Sequence, residues 1–271
     1  MTSAAENERV IREATAWNDG QVPDIVWANA GAAHPSLFLD ASLETMRGDM
    51  EINFWAATYL AHTTLRTWLN PSDDSPSPAT TSQKQPLPRH FIMTASTIAF
   101  VGVAGYSPYA PGKSALRSLA DTLKSEMNLY NGARQRSSSP TSPETKIHIV
   151  VPGTITSPGL ATENKTKHPV THILEDGDPE QSEDEVAAAA MRGLERGDYM
   201  ITTHFLGHAM RVSMLGGSPR NGLFGVRDAL FSWVTAIVWL FVGPDMEGKV
   251  WKWGKANGVR SGAIQDDGKY S

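Results

Sequence analysis

Short apolar segments alternate along the chain with longer segments of helical periodicity, and this alternation limits the possible folds more than any other feature of the sequence. The apolar segments have the length and composition of buried strands and lie at 24–28, 91–95, 146–153 and 199–203. Apolar residues at helical spacing predict helices at 4–17, 42–69, 109–129 and 183–196. Strands separated by helices indicate right-handed crossovers and a parallel sheet covered on both faces. We therefore predict an α/β fold.

The composition narrows the class of protein further. The 271 residues are 40% hydrophobic, which is enough for one substantial core, and the formal net charge of -5 with no dense basic run argues against a nucleic-acid partner. The absence of cysteine excludes disulfides, thiolate metal sites and thiol nucleophiles. The polar first residues do not have the pattern of a secretory signal, so secretion is not indicated. Two polar segments rich in proline and serine, 71–88 and 131–145, are predicted to be flexible surface inserts.

Tyr109 and Lys113 form the most chemically informative pair in the sequence. They stand four residues apart on a predicted helix, so both side chains lie on one face, and Ser96 ends the preceding predicted strand. A neighbouring cation favours the phenolate and is expected to bring the pKa of Tyr109 into the range of proton transfer. When a hydride adds to a carbonyl, a tyrosine hydroxyl can protonate the oxygen while a serine hydroxyl holds it. Taken alone, a tyrosine and a lysine at this spacing are more often an ordinary surface pair.

The residues predicted to lie near Tyr109 and Lys113 favour an active site over an ordinary surface pair. Asn29, Ala30 and Gly31 follow the first predicted strand, Asn53 lies in the next helix, and Pro152-Gly153 ends a third strand. The carboxyl ends of parallel strands share one edge of the sheet, where ligands bind.

These residues, in this order and at this spacing, resemble the short-chain dehydrogenase/reductase family. The resemblance implies a Rossmann-like sheet and a catalytic tetrad of Asn53, Ser96, Tyr109 and Lys113 that reduces carbonyls with a nicotinamide cofactor. It also implies that Lys113 binds the nicotinamide ribose and that Asn53 holds a water in a proton relay. The cofactor-binding residues implied in this way are Asn29, Ala30, Gly31, Tyr109, Lys113, Pro152, Gly153, Thr154 and Thr156.

A finer resemblance, to fungal 3-ketodihydrosphingosine reductases, rests on the phrases at 11–14, 193–199 and 216–221 and on the Trp-rich apolar tail. It implies NADPH-dependent reduction of 3-ketosphinganine to sphinganine in sphingolipid synthesis, at the cytosolic face of the endoplasmic reticulum membrane. The expected partners are a long-chain keto lipid and a membrane surface. A homodimer through the two long helices that hold Asn53 and Tyr109 is also expected.

The chain departs from the family pattern at its start. A full member begins with a strand, a glycine-rich phosphate loop and a third strand followed by an acidic residue, and none of these is present. Three strands and two helices are therefore expected to be missing, and the chain is expected to bind NADPH weakly. The alternatives are a catalytically inactive fragment that binds a membrane or a partner, and a reductase of another lipid or small-molecule carbonyl. The choice between NADP and NAD stays open, since the adenosine-contacting residues belong to the missing part.

The segment 230–243 is apolar throughout and is followed by Trp251, Trp253 and several lysines. A helix of its fourteen residues would span roughly 21 Å, less than the ~30 Å hydrocarbon core of a bilayer. An interfacial or re-entrant segment is favoured, and a buried helix or a dimer contact is the alternative. We accordingly divide the chain into a reductase domain over 1–212 and a membrane-associating region over 213–271.

Two pairs of histidines have a spacing that is compatible with metal binding. His168 and His172, and likewise His204 and His208, are four residues apart, but neither pair has an evident carboxylate ligand nearby. Histidines at the surface or in packing are therefore favoured over zinc ligands, and no metal is predicted.

Overall fold

The predicted alternation of strands and helices is present in the computed structural model, which describes residues 2–69, 86–136, 142–222 and 225–259. The helices are α1 Ala4–Trp17, α2 Leu43–Met50, α3 Ala56–Leu69, α4 Tyr109–Arg134, α5 Pro158–Glu163, α6 Pro169–Glu175, α7 Glu183–Glu195, α8 Phe205–Ser213 and α9 Val226–Asn257. The strands are β1 Ile25–Ala28, β2 Arg89–Thr94, β3 Thr145–Val151, β4 Thr154–Thr156, β5 Glu180–Ser182 and β6 Met200–Thr202. A π-helical segment, Glu51–Trp55, joins α2 to α3, and a 3-10 turn, Thr97–Ala99, follows β2.

Four of these strands form one parallel sheet in the order β1-β2-β3-β6. Phe91, Met93, Ile149 and Val151 in its two central strands are fully buried. Near-continuous apolar strands follow from the burial of both sheet faces, because a parallel sheet places its crossover helices on each side. The α/β class is thereby confirmed. A separate two-stranded parallel ladder of β4 and β5, which the sequence analysis did not predict, lies beyond the end of β3.

The larger core lies on the face of the sheet covered by α3 and α4, where Leu60, Leu116 and Met127 pack against the central strands. The opposite face has a smaller cluster beneath α7, made by Ile92, Val150, Ala190 and Ile201. Gly193 of α7 is part of this arrangement, because a Cβ atom at that position would overlap the side chain of Ile201. The absence of a side chain therefore allows α7 to lie close to β6.

Two predicted helices differ from the structure in detail. Helix α1 has the predicted bounds. Of the apolar residues at helical spacing that predicted it, Val10, Ile11, Ala14 and Trp17, only Ile11 is buried, and Trp17 is 90% exposed. Helix α4 continues to Arg134, into the segment predicted as an insert from 131. Asn131 explains the extension, because its side chain donates to the carbonyl of Thr145 over 2.9 Å and accepts from the Thr145 N–H over 3.0 Å.

The structure describes only part of the two predicted inserts. Residues 71–85 of the first and 137–141 of the second lie outside the described residues. Residues 86–88 have no regular secondary structure, and β3 begins at Thr145, at the end of the second predicted insert.

Helix α9 is much longer than the predicted apolar segment at 230–243. It runs for 32 residues and continues through Pro244, so its length is about 48 Å. Only 6% of its most apolar stretch is buried, and by length and composition it could cross a membrane. The helix is therefore longer than predicted and is not buried among the described residues, and the prediction of an interfacial or re-entrant segment stays a prediction. Its most exposed apolar side chains are Leu230, Trp233, Ile237, Leu240, Phe241 and Trp251.

The start of α9 is nevertheless tied to the sheet. Asp228 accepts two hydrogen bonds from the buried guanidinium of Arg211 in α8, over 2.6 and 2.8 Å. Asp228 also accepts from the N–H of Asn221, whose side chain bonds the backbone of Tyr199 and Met200 at β6. These contacts cross the proposed boundary at 212/213, which stays a prediction.

Two histidines form a neutral pair inside the sheet. His148 in β3 is 2% exposed, its Nδ1 lies 2.8 Å from the carbonyl of Asp198, and its Nε2 lies 2.9 Å from Nδ1 of His90. Burial lowers the pKa of His148 to about 4, although the Asp198 carbonyl opposes this shift, and burial also lowers the pKa of His90. Both rings therefore stay uncharged at neutral pH.

This pair predicts a loss of stability in mild acid. An unfolded histidine binds a proton near pH 6.5 and the folded His148 only near pH 4, so the unfolded state binds more protons between these values. The free energy of unfolding should fall by on the order of 3 kcal/mol as the pH drops across that window. Urea denaturation at a series of pH values measures it. His148→Asn keeps a donor for the Asp198 carbonyl and should flatten the dependence, whereas His172→Asn, at an exposed position of α6, should not.

Candidate active site

The carboxyl edge of the sheet brings most of the predicted site residues into one region. Gly31 follows β1, Ser96 follows β2 and Pro152 follows β3, as the parallel topology requires. Helix α4 begins at Tyr109 and presents Lys113 one turn later. Asn53 reaches the same region from the π-helical segment between α2 and α3.

Asn53 fixes the loop that follows β1. Its side chain is buried, and Nδ2 donates to the carbonyls of Ala32 and Asp49 over 2.7 and 3.0 Å. Oδ1 accepts from the N–H of Ala32 over 3.2 Å. A Cβ atom at Gly112 of α4 would lie 3.1 Å from the Asn53 Cβ, so this glycine allows the two helices to pack closely here. The π-helical turn, a feature often found at functional sites, orients Asn53 toward this loop.

Lys113 is a buried ammonium group with unused hydrogen-bonding capacity. The residue is 3% exposed, and Nζ donates to the carbonyl of Thr94 over 3.1 Å. Burial lowers its pKa to about 8. A Cβ atom at Gly31 would lie 2.9 Å from Nζ and 3.0 Å from Oδ1 of Asn53, so the glycine leaves room directly beside the ammonium. An ammonium has three donors, and a ligand at this edge could accept the remaining ones.

The Ser96 hydroxyl lies near the Tyr109 hydroxyl and acts on its pKa. Burial raises the pKa of Tyr109 above its ordinary value, the Ser96 hydroxyl opposes this, and the charges of Glu163 and Asp49 raise it further. The expectation that Lys113 lowers this pKa is therefore wrong for this structure. The physical reason is that Lys113 Nζ bonds Thr94 and lies 5.7 Å from the centre of the tyrosine ring, while desolvation acts directly on the hydroxyl. A phenol that keeps its proton at neutral pH is suited to donate it.

Other predicted residues join this group to different degrees. Asn29 is connected through Thr94, whose hydroxyl donates to its Oδ1 over 2.7 Å. The carbonyl of Pro152 accepts from the N–H of Thr97, beside Ser96, over 2.9 Å. Gly153 follows it at the end of β3. Ala30 is exposed, and Thr154 and Thr156 lie in the β4–β5 ladder, where the described contacts do not connect them with Tyr109 or Lys113.

Three residues that the sequence analysis did not select also contribute. Thr94 links Lys113 to Asn29, and its position as the last residue of β2 was the available signal. His204 lies against Gly153 and directly follows the predicted strand that became β6. Tyr106 precedes α4, and nothing in its local sequence pattern marked it.

Tyr106 attaches the segment around α5 and α6 to the start of α4. Its hydroxyl lies 2.5 Å from Glu163 and 2.5 Å from Glu175, so the two carboxylates share it. The buried ammonium of Lys167 lies 3.1 and 2.8 Å from the same two carboxylates. Because the Tyr106 ring is 6.0 Å from that of Tyr109, this buried cluster holds the segment beside the candidate proton donor.

The arrangement can perform carbonyl reduction when paired with a hydride donor. Ser96 and Tyr109 supply two adjoining hydroxyls for an oxygen, and Lys113 supplies a buried positive charge nearby. Within the described residues there is no cluster of three side chains able to hold a metal ion. His168 and His204 each accept a backbone N–H at the start of a helix, α6 and α8 respectively.

The chain is similar in sequence to known reductases. The sequence pattern of the short chain dehydrogenase family matches residues 1–167. The chain is 48% identical over 264 residues to a 3-ketodihydrosphingosine reductase of Aspergillus fumigatus, covering 96% of this chain and 70% of that protein. It is 41% identical to one of Neurospora crassa and 32% identical to one of Cryptococcus neoformans, covering 92% and 88% of this chain. The chain spans 64% and 62% of the length of these last two relatives.

Solved structures agree on the fold. A short-chain dehydrogenase of Burkholderia cenocepacia, in complex with NADP, superposes with a TM-score of 0.56 at 15% identity, covering 79% of this chain and 70% of that one. A short-chain dehydrogenase of Streptomyces avermitilis also has a TM-score of 0.56, at 17% identity, covering 87% of this chain and 76% of that one.

Proposed function

Because the chain belongs to the short-chain dehydrogenase/reductase family, we propose that it is an NADPH-dependent reductase that converts 3-ketodihydrosphingosine (3-ketosphinganine) to sphinganine. The observation that carries the proposal is the convergence of Ser96, Tyr109 and Lys113 at the carboxyl edge of the sheet. The names of the three fungal relatives support the choice of a long-chain keto lipid as substrate.

Each residue of the site has its own role in the proposed reaction. The Ser96 hydroxyl donates a hydrogen bond to the substrate carbonyl oxygen and keeps it beside Tyr109. NADPH, when bound, supplies the hydride to the carbonyl carbon. The Tyr109 hydroxyl donates its proton to the oxygen, and the ammonium of Lys113 stabilises the negative charge left on the phenol. Asn53 holds the loop after β1 in place, and its predicted role in a water relay is retained as part of the proposal.

The residues at this edge fit the nicotinamide end of the cofactor. Lys113 has donors left for the ribose hydroxyls, and Gly31 leaves the space beside its Nζ free of a side chain. Asn29, Ala30, Pro152 and Gly153 would line the remainder of this end. Thr154 and Thr156 are proposed to contact the cofactor from the turn after β3.

Reduction of 3-ketodihydrosphingosine tests the proposed function directly. Because the chain is expected to bind NADPH weakly, the cofactor is supplied in large excess. With detergent-dispersed substrate the chain should then yield sphinganine, measured by mass spectrometry, at a rate well above its reduction of a simple long-chain ketone. NADH in place of NADPH tests the cofactor choice. Equal rates on both ketones would assign the site to another carbonyl substrate, and no reduction of either would favour the inactive, membrane- or partner-binding alternative.

Helix α9 suggests association with a membrane, and we propose the cytosolic face of the endoplasmic reticulum as its location. The exposed apolar side chains of α9 would otherwise face water over much of their area, which is costly for residues of this size. A homodimer through α3 and α4, the helices next to Asn53 and Tyr109, also remains part of the proposal.

Substitution of exposed residues on α9 should abolish binding to vesicles. Leu230, Trp233, Ile237 and Leu240 are between 62% and 76% exposed, so replacing all four by glutamine should leave the fold intact. Each buried apolar side chain contributes about 1.5–3 kcal/mol, so partitioning should fall by more than ~100-fold. Flotation with vesicles of phosphatidylcholine and phosphatidylserine measures it.

A matched control comes from another part of the surface. Phe38, Leu39 and Leu43 are 64%, 88% and 69% exposed and lie near the start of α2, away from α9. Their replacement by glutamine should leave flotation unchanged. If the α9 variant floats as well as the unmodified chain, this helix is not the membrane-binding element.

A further inference from the structure

Helix α9 is attached to the rest of the described chain near both of its ends. Near its start, the buried carboxylate of Asp228 pairs with the buried guanidinium of Arg211 in α8. Near its end, the rings of Trp253 and His168 meet edge-on with their centres 4.7 Å apart. Nε2 of His168 also lies 3.1 Å from the carbonyl of Val259, just beyond the helix. Between Asp228 and Trp253 the helix covers roughly 37 Å.

Both attachments belong to the same folded unit. Arg211 lies on α8, which follows β6 of the sheet, and His168 caps the start of α6. Helix α6 is in turn fixed to the start of α4 by the buried cluster around Tyr106. Between the two attachments, Met246 of α9 packs against the larger core. The two ends of α9 are therefore held by one body, and both lie on the side of a bilayer where that body lies.

This attachment conflicts with a membrane-spanning α9. A spanning helix places its ends on opposite sides of a hydrocarbon core of ~30 Å. The ends of α9 could separate in this way only if the Arg211–Asp228 pair or the His168–Trp253 contact broke. Breaking the ion pair would leave a buried guanidinium without its carboxylate, which is strongly destabilising. A helix that lies along one surface of the membrane keeps both contacts.

The uncovered part of α9 has the chemistry of a lipid contact. From 236 to 242 every residue is apolar and exposed, so the helix is apolar on all sides there. A second folded protein would cover one side of such a helix, whereas lipid chains can surround it. The stretch is followed by Trp251, Lys252 and Lys255, residue types that are favoured where lipid meets water.

Phe205 extends this apolar surface toward the candidate active site. It is the first residue of α8, is 76% exposed, and its ring centre lies 6.1 Å from that of Phe231 in α9. Two residues later, a Cβ atom at Gly207 would lie 3.3 Å from Cγ2 of Thr97. Thr97 directly follows Ser96. The start of α8 therefore contacts the edge of the sheet that holds Ser96 and also carries an exposed aromatic ring.

We propose that α9 and Phe205 form one membrane face that lies in a single leaflet, so that α9 does not cross the bilayer and a keto lipid reaches Ser96 directly from that leaflet. The proposal rests on the proposed membrane association of α9 and assigns its geometry. An amphipathic lipid keeps its polar end at the membrane surface and its chain among other lipid chains. An active-site edge beside the membrane face can therefore receive the carbonyl while the chain stays in lipid.

Single introduced cysteines locate the two ends of α9, since the chain has no cysteine of its own. Arg227 and Ala256 are exposed and stand roughly 43 Å apart along the helix. The full chain with Arg227→Cys or Ala256→Cys is synthesised in the presence of sealed microsomes, recovered by flotation and treated with a membrane-impermeant maleimide. Both cysteines should react equally with and without detergent, because both ends lie on the outer side.

Leu39→Cys and Ile237→Cys are the matched controls. Leu39 is 88% exposed and lies outside α9, so its cysteine should react in the bound chain. Ile237 lies in the uncovered stretch, so its cysteine should lose its reactivity on membrane binding. If either Arg227→Cys or Ala256→Cys reacts only after detergent is added, α9 crosses the membrane and the proposal is overturned. Reaction of Ile237→Cys in the bound chain would overturn it as well, because the helix would then not lie in lipid.

Phe205→Gln tests whether the membrane face extends to the candidate active site. Its partition coefficient onto vesicles of phosphatidylcholine and phosphatidylserine should fall ~10-fold, as expected when one aromatic side chain no longer enters lipid. Reduction of 3-ketodihydrosphingosine held in those vesicles should fall by a similar factor, with an unchanged rate on detergent-dispersed substrate. Phe38→Gln, at a 64% exposed position outside α8 and α9, should change neither value. Unchanged partitioning of the Phe205→Gln chain would overturn the extension of the face to the site.

The geometry and the proposed function can fail separately. Labelling of only one end in a chain that floats with microsomes would retain membrane association and reject the single-leaflet geometry. A chain that does not float would reject membrane association and the membrane face with it. Neither result depends on turnover, so both leave the proposed reductase activity to its own assay.

Discussion

Replacing Tyr109 with phenylalanine is expected to lower the rate of carbonyl reduction by at least ~100-fold, the usual effect of losing a positioned general acid. The change removes one hydroxyl and keeps the ring that packs at the start of α4. Because Tyr109 acts on the oxygen only as the carbonyl is reduced, the loss should appear in kcat, with KM for the substrate nearly unchanged. Steady-state assays of NADPH oxidation with 3-ketodihydrosphingosine give both values.

Tyr130→Phe is the matched control for this experiment. Tyr130 lies on the same helix as Tyr109 but is 44% exposed, five turns or more from the site. Its loss of a hydroxyl should leave kcat and KM unchanged. A Tyr109→Phe enzyme that turns over at a near-normal rate would remove Tyr109 from the role of proton donor.

Replacing Lys113 with methionine is expected to lower kcat/KM for NADPH by about 100-fold or more. Methionine fills a similar volume but removes the ammonium, and charge-assisted hydrogen bonds of this kind contribute about 1.5–3 kcal/mol each. The buried bond to the Thr94 carbonyl is lost as well, so the variant should also be less stable. Lys124→Met, on the same helix beside Tyr199, should leave NADPH binding unchanged.

The pKa of Lys113 adds a pH signature to this prediction. Since that pKa is about 8, the ammonium is charged below pH 8 and loses its proton above it. NADPH binding by the unmodified chain should therefore weaken as the pH rises through 8, when measured by fluorescence titration. Lys113→Arg keeps its charge in this range and should not show the transition. A binding curve that is flat across pH 8 would exclude a direct role for the ammonium in holding the cofactor.

The strands and helices of the sheet were predictable because their signals are local. The apolar runs around Ile25, Phe91 and Ile149 are buried on both faces, and that burial is visible in sequence as a lack of polar residues. Helix α7 begins at a Ser182 and Glu185 capping box, another local pattern. By contrast, the extent of α4 depends on the bond between Asn131 and Thr145, which are separated by the end of the helix and a loop.

Helix α9 was also predictable from the sequence only in part. The apolar residues at 230–243 predicted part of this helix. The helix itself continues past Pro244 to Asn257. Whether such a helix is buried or exposed depends on what the rest of the chain offers as a packing surface. In this structure the helix is held at its start by the Arg211–Asp228 ion pair and leaves most of its apolar face uncovered.

By itself, the sequence determined that Ser96, Tyr109 and Lys113 belong to one edge of a parallel sheet, because strand order and helical spacing are properties of the chain alone. Only the tertiary structure decided their protonation. The pKa of Tyr109 is raised and that of Lys113 lowered because burial removes water from both groups, and burial depends on residues distant in sequence.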